Sequence, residues 1–229
     1  MVWLAQEWYL SLFICGTDTG IGKTHVAAAI MYSQHQRIID LRYWKPVQTG
    51  SGEDDDRQLT IELSGVSNSY FLPTTLSFKE PLSPHRAAEL ENYTIELEEL
   101  LRAFHENVKN HSLLIEGAGG LLVPINRRVT WLDFLKETGL PVLLVARSGL
   151  GTINHSLLTL EQLRRHQVGV AGIVFCGPTN QDNMRTIEEF AGVRRLGVMV
   201  AGANGRPDIK HVFDDENALE QLLRAVVQK

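Results

Sequence analysis

The chain alternates short, unbroken apolar runs with longer segments whose apolar residues recur at helical spacing. The runs Leu10–Cys15, Tyr43–Val47, Leu113–Glu116, Val142–Ala146, Val170–Phe175 and Leu196–Met199 predict strands. Most are apolar at nearly every position rather than at alternate ones, the pattern of strands covered by helices on both faces. The segments between them predict helices over Lys23–Gln34, Asp56–Leu63, Thr94–Asn107, Trp131–Glu137, Ile153–His166, Asn183–Phe190 and Asp214–Gln228. In the last, Leu219, Leu222, Leu223 and Val226 share a face, and Asp214 and Asp215 stand near the start, where the helix dipole favours anions. Thr94 is the expected N-cap of the third helix. Gly65–Ser83 reads as surface loops within one domain, because apolar periodicity resumes on both sides. Strand–helix alternation implies right-handed crossovers and a mainly parallel sheet with helices on both faces: an α/β fold in a single domain over residues 1–229.

The first strand runs directly into Gly16-Thr17-Asp18-Thr19-Gly20-Ile21-Gly22-Lys23-Thr24 and then into a helix. A glycine-rich turn at a helix N-terminus aims free backbone N–H groups at an anion, and the dipole adds to the attraction. Lys23 can reach the outer phosphates of a nucleotide, and the Thr24 hydroxyl can ligate Mg²⁺. Thr17 stands where the GxxxxGK[ST] pattern has its first glycine. A structural turn with a snorkelling lysine is the plain alternative; a Gly-Lys-Thr at a strand–helix junction disfavours it. Two more strand ends carry chemistry. Tyr43-Trp44-Lys45-Pro46-Val47-Gln48-Thr49-Gly50 places a second lysine before a turn, on a strand expected to neighbour the first. Leu113–Glu116 ends in Glu116-Gly117-Ala118-Gly119-Gly120, an acid beside backbone that must stay small, where an α/β sheet presents metal ligands.

Composition narrows the field. Of 229 residues, 44% are apolar and 21% charged, so the chain is globular rather than disordered. The net charge of −5 argues against nucleic-acid binding by bulk charge, which needs a basic footprint. Cys15 and Cys176 have neither CxxC nor zinc-type spacing, as expected for a reducing cytosolic setting. No apolar run approaches the ~18–20 residues of a membrane span. Residues 1–10 lack a basic leader followed by an apolar stretch, so a signal peptide is not expected and a cytoplasmic location is. The eight histidines include no HExxH and no pair at ligand spacing, which argues against a metal hydrolase.

Taken together, Gly16-Thr17-Asp18-Thr19-x-x-Gly22-Lys23-Thr24, Lys45-Pro46-Val47-x-Thr49-Gly50, Ser83-Pro84-His85, Glu116-Gly117-Ala118-Gly119-Gly120 and Gly151-Thr152-Ile153-Asn154-His155 resemble the dethiobiotin synthetase family, in matching order from Leu12 to Gly197. The resemblance implies a P-loop NTPase-like fold and an ATP- and Mg²⁺-dependent ligase of biotin biosynthesis. Its reaction joins 7,8-diaminopelargonate and CO₂ into dethiobiotin, releasing ADP and phosphate, through a carbamate that ATP phosphorylates. It further implies catalytic roles for Lys23, Lys45 and Thr19, with Lys23 on the transferring phosphoryl group and Lys45 on the carbamate. Nucleotide contacts would come from Gly20, Ile21, Gly22, Lys23, Thr24, His25, Asp56, Glu116, Gly117, Ala118 and Gly119. Substrate contacts would come from Thr19, Lys45, Thr49, Gly151 and Asn154, the last two reaching the site from the second subunit of a homodimer. Thr24, Asp56 and Glu116 would hold Mg²⁺. Asp56 is preferred within Glu53-Asp54-Asp55-Asp56 because it opens a helix, with Asp55 the alternative.

The chain also departs from that family. Where many members carry Asn-Asp after the fifth strand, to read adenine, Cys176-Gly177 stands here, and Val200 replaces a purine-pocket proline. Asn180 and Asn204 are the candidate substitutes. A partitioning ATPase of the same superfamily would carry an extra lysine five residues before Lys23, where this chain has Asp18. A synthetase domain followed by a glutaminase needs more chain than is present.

Overall fold

Strands apolar on both sides must be sandwiched, and the computed structural model builds that sandwich. It describes residues 11–36, 40–51, 55–202 and 207–213. The helix predicted over Asp214–Gln228 and the candidate Asn204 lie outside the described residues. Strands β1 (Leu12–Gly16), β2 (Leu41–Trp44), β5 (Ser112–Gly120), β6 (Val142–Arg147), β7 (Val170–Cys176) and β8 (Arg195–Met199) form one parallel sheet in the order β2-β5-β1-β6-β7-β8. A short parallel pair, β3 (Val47–Thr49) and β4 (Leu76–Phe78), stands apart. The helices are α1 (Lys23–Gln36), α2 (Asp56–Ser64), α3 (Pro84–Leu90), α4 (Leu97–Val108), α5 (Trp131–Thr138), α6 (Thr152–Arg165) and α7 (Gln181–Ala191).

Strand alternation sorts side chains between the two faces. Phe13, Trp44, Leu113 and Ile115 pack with Leu100 and Phe104 of α4 and with Trp131 and Phe134 of α5. Leu12, Ile14, Tyr43 and Leu114 face the other way, against Val26 and Ile30 of α1. Leu144, Ala146, Ile173 and Phe175 meet Leu160 of α6 and Met184 and Ile187 of α7. The chain leaves β1 toward β2, returns through β5 between them, and continues from β6 on the far side of β1. Such a reversal opens a crevice at the C-terminal ends of the strands, the usual ligand position in an open α/β sheet.

The structure corrects four expectations. The strand expected over Tyr43–Val47 is two strands: Pro46 has no N–H for a ladder, and the chain turns there from the main sheet into the β3–β4 pair. β1 and β2 are not neighbours, since β5 lies between them. Gly65–Ser83 is more than loops: it contains β4, a 3₁₀ turn at Asn68–Tyr70, and buried Phe71 and Phe78. Thr94 does not cap α4, which begins at Leu97 after Glu96. Ile95 is fully buried and its carbonyl accepts from Asn126 Nδ2 at 2.7 Å, which holds the chain extended past Thr94. Helix α3, not predicted, starts on Pro84, whose fixed φ suits a first helical turn.

Phe13 is the centre of the aromatic layer, with ring centroids 5.6 Å from Trp131 and 6.0 Å from Phe134. It is fully buried. Phe13→Ala is expected to lower the unfolding free energy by about 3–5 kcal/mol in denaturant titration, through lost transfer energy and an unfilled cavity.

Candidate active site

The crevice is a cleft of about 1070 Å³ lined by the phosphate loop, Lys45, Thr49, Asp56, Glu116, Gly119 and the ends of β7 and β8, among others. Each wall has a local cause. Residues Gly16–Gly22 turn from β1 into α1 with Gly20 at φ +65° and Gly22 at φ +102°, conformations that side chains resist. At Gly22 space is also closed, because a Cβ there would lie 2.9 Å from Cys176 Sγ. Asp18 shapes the loop: its Oδ1 accepts from Thr19 N–H at 2.7 Å, and Lys23 Nζ donates to its carbonyl at 3.3 Å. Arg147 Nη2 stands 3.6 Å from Asp18 Oδ2.

Glu116 lies on the same face of β5 as Leu114, so it emerges under α1, on the strand between β1 and β2. Thr24 Oγ1 lies 2.8 Å from Asp56 Oδ1 and 3.0 Å from Glu116 Oε1. Lys45 Nζ donates to Asp56 Oδ2 at 2.5 Å and to Glu116 Oε1 at 3.0 Å. Tyr43 donates to Glu116 Oε2 at 2.9 Å. Asp55 and Asp56, the two described acids of the run, part ways. Asp55 caps α2 by accepting from Gln58 N–H at 3.0 Å, whereas the Asp56 side chain turns into the cluster and its N–H donates to Gln48 Oε1 at 3.2 Å.

Burial of this cluster sets its protonation. Burial alone would pull the Lys45 pKa down, but Glu116 and Asp56 outweigh it and the net shift is upward. Burial raises Asp56, while Lys45 and the Thr24 hydrogen bond lower it, and the net shift is downward. Lys23 is lowered, by burial first, with Glu116 opposing and Lys45 adding to the fall. Burial also lowers His25, which lines the cleft. Both thiols are pushed up to about 12 by desolvation, so neither Cys15 nor Cys176 is a thiolate near neutrality.

Of the residues expected at the site, Thr19, Gly20, Ile21, Gly22, Lys23, Thr24, His25, Lys45, Thr49, Asp56, Glu116, Ala118 and Gly119 line this cleft. Gly117 does not: a Cβ there would meet the Phe13 ring at 2.6 Å, so that face belongs to the core. Gly151 and Asn154 stand exposed at the start of α6, away from the cleft wall. Asn154 is not the cap of α6, because Gly151 occupies that position at φ +89°. Asn180 is spent as the cap of α7, accepting from Asn183 N–H at 3.1 Å. The outer wall is instead Cys176, Gly177, Met199, Val200, Ala201 and Pro207, the last brought in by an antiparallel bridge to Ala201. Sequence reading missed Tyr43, Gln48 and Pro207. Period-two alternation back from Lys45 points to Tyr43; Pro207 carries no local signal.

A phosphate loop between strand and helix, opening on a parallel sheet, defines a P-loop NTPase-like protein. The fold resembles a ParA family ATPase from Chlorobium tepidum (TM-score 0.53, 13% identity, 96% of this chain and 90% of that one) and the MinD cell division protein of Aquifex aeolicus (TM-score 0.55, 13% identity, 96% and 97%). A family model described as an AAA domain matches residues 11–200. The sequence is 42% identical to the ATP-dependent dethiobiotin synthetase of Nitrobacter hamburgensis over 214 residues, 93% of this chain and 97% of that protein. It is 44% identical to that of Agrobacterium fabrum over 188 residues (82% and 84%), and 39% identical to that of Leptospira interrogans over 200 (86% and 89%). The chain belongs to the dethiobiotin synthetase family, and it is an enzyme of the ligase class. Among the described residues, no helix is long and apolar enough to cross a membrane.

The ion cluster makes a pH prediction. The lowered Asp56 pKa contributes stability that is fully present above the ordinary aspartate value of about 3.9 and is lost as pH falls through the folded value. The stability advantage of the native chain over Asp56→Asn is therefore expected to be constant near neutrality and to shrink below about pH 4. Denaturant unfolding at a series of pH values checks it; an advantage unchanged into acid contradicts the pairing.

Proposed function

We propose that the cleft binds ATP with Mg²⁺ and converts 7,8-diaminopelargonate and CO₂ to dethiobiotin, with release of ADP and phosphate. The observation that carries this reading is Lys45, buried at a strand end and shared by two carboxylates beside a phosphate loop. The phosphate loop supplies N–H groups for the phosphates at the start of α1, with Lys23 on the transferring group. A carbamate on one substrate amine attacks the γ-phosphorus, ADP leaves, and the second amine closes the ring with loss of phosphate. Negative charge moves from the attacking carbamate oxygen to the leaving oxygen of ADP, so fixed cations on both sides are the main service the protein can render. Lys45, whose ammonium lies against Asp56 and Glu116, holds the carbamate oxygens. Thr19 and Thr49 hydrogen-bond the reacting end, and the substrate carboxylate tail is received by Gly151 and Asn154 of a second subunit, which makes the active enzyme a homodimer of the cytoplasm.

The residues fit a magnesium ion. Thr24 Oγ1 stands 2.8 Å from Asp56 Oδ1 and 3.0 Å from Glu116 Oε1, so one neutral and two acid oxygens converge beside Lys45, the donor set of a hard cation. Thr24, Asp56 and Glu116 would hold the ion, and its chemistry there is to neutralise charge on the β- and γ-phosphates. The two lysines already balance the two carboxylates in formal charge, so an incoming triphosphate requires cation from outside the protein.

The direct test is release of ADP and phosphate in the presence and absence of diaminopelargonate and bicarbonate. Substrate-dependent release supports the reading; release indifferent to the diamine sinks it. In the same assay Lys45→Ala is expected to lower turnover by roughly 10²–10³, the scale for losing one preorganised stabiliser. Native-level turnover in that variant would remove Lys45 from the mechanism.

Base recognition follows from the outer wall. Cys176 offers only a weak S–H donor, Gly177 has no side chain, and Met199, Val200, Ala201 and Pro207 are apolar, so among the described residues of this wall few side-chain groups are left unpaired by a wrong base. GTP, CTP or UTP is expected to support turnover within about tenfold of ATP, a gap of ~1.4 kcal/mol. Rates with each triphosphate at matched free Mg²⁺ decide it, and an ATP preference of several hundredfold would contradict it.

A further inference from the structure

One polar group in the cluster has no part in the chemistry above. Tyr43 is fully buried at the end of β2, its ring 5.5 Å from Phe71, and its hydroxyl donates to Glu116 Oε2 at 2.9 Å. The other carboxylate oxygen, Oε1, already receives Lys45 and faces Thr24. The Thr60 side chain also acts on the Tyr43 phenol, and its hydroxyl donates to the Asp56 carbonyl at 2.7 Å. The phenol thus joins the acid on β5 to the helical turn that carries the acid on α2.

We propose that Tyr43 is a positioning residue that fixes the rotation of the Glu116 carboxylate, so that Oε1 faces Thr24 and Asp56 and the site holds a divalent cation at its working affinity. This rests on the metal reading of Thr24, Asp56 and Glu116. The physical need is plain. The terminal torsion of a glutamate is broad and roughly two-fold, so burial alone leaves its plane loosely set. A hydrogen bond to the far oxygen selects one orientation, as outer partners of metal ligands generally do. A merely satisfied core tyrosine would show the same burial, so the test must read something that packing does not move.

Tyr43→Phe keeps the ring against Phe71 and deletes only the donor. The probe is Mn²⁺ in the presence of ADP, followed by electron paramagnetic resonance, on the full chain, with Asp56→Asn as reference. Asp56→Asn is expected to lose most Mn²⁺ binding. Tyr43→Phe is expected to weaken it by about 10–100-fold, the range for removing an outer partner of a ligand. Turnover should then recover as Mg²⁺ is raised. If Asp56→Asn loses Mn²⁺ while Tyr43→Phe binds it as the native chain does, Tyr43 is structural and the inference is overturned, whatever its melting temperature. If Asp56→Asn binds Mn²⁺ normally, the metal reading itself fails and takes this inference with it.

Discussion

The structure depends on how it keeps charge inside. Lys45 and Glu116 are almost wholly removed from water, with exposures of 3% and 1%. Neither could stay ionised there alone, because the cost of an unpaired buried ion exceeds what a small domain can spare. They are tolerable only together, with Asp56, Thr24 and Tyr43 completing their contacts. Those five side chains come from four parts of the chain far apart in sequence: the start of α1, the end of β2, the start of α2 and the middle of β5. The fold is therefore obliged to bring four elements to one point, and the order of the main sheet, with β5 inserted between β1 and β2, is the arrangement that does so.

The same constraint explains why the site is rigid where it must be and open where it can be. On the inner side, glycines with φ +65° and +102°, a thiol packed on Gly22 and the capped start of α2 leave the loop and the acids little freedom. On the outer side, a short bridge between Ala201 and Pro207 adds apolar surface among the described residues.

Much of this could be read from the chain. Runs apolar at nearly every position announced a doubly covered sheet, and five of the six main strands appear with their ends moved by a residue or two, or, in β5, by four at its far end. The phosphate loop was legible because its function is local: contiguous residues make it. Tyr43–Val47 was misread because apolarity continues across Lys45-Pro46 while hydrogen bonding does not. The start of α4 was misplaced because Thr94 is a good cap in isolation, whereas a buried Ile95 tied to Asn126 decides the backbone there. The partnership of Tyr43 with Glu116 spans 73 positions, and Pro207 reaches the cleft only through a tertiary bridge. Pairings of that kind are set by topology, which periodicity does not encode.

Helix α1 deserves to be seen as a beam rather than as a surface helix. Val26, Ala27, Ala28, Ala29, Ile30 and Met31 are all buried in succession, so the helix is enclosed on every side along its first turns. Its first residue is Lys23, at the mouth of the phosphate loop. The helical end of the loop, at Gly22 and Lys23, is anchored to that beam, while Asp18, Thr19 and Gly20 are exposed. A ligand that binds the loop of the folded chain and not the unfolded one therefore adds to resistance against heat, denaturant and proteolysis.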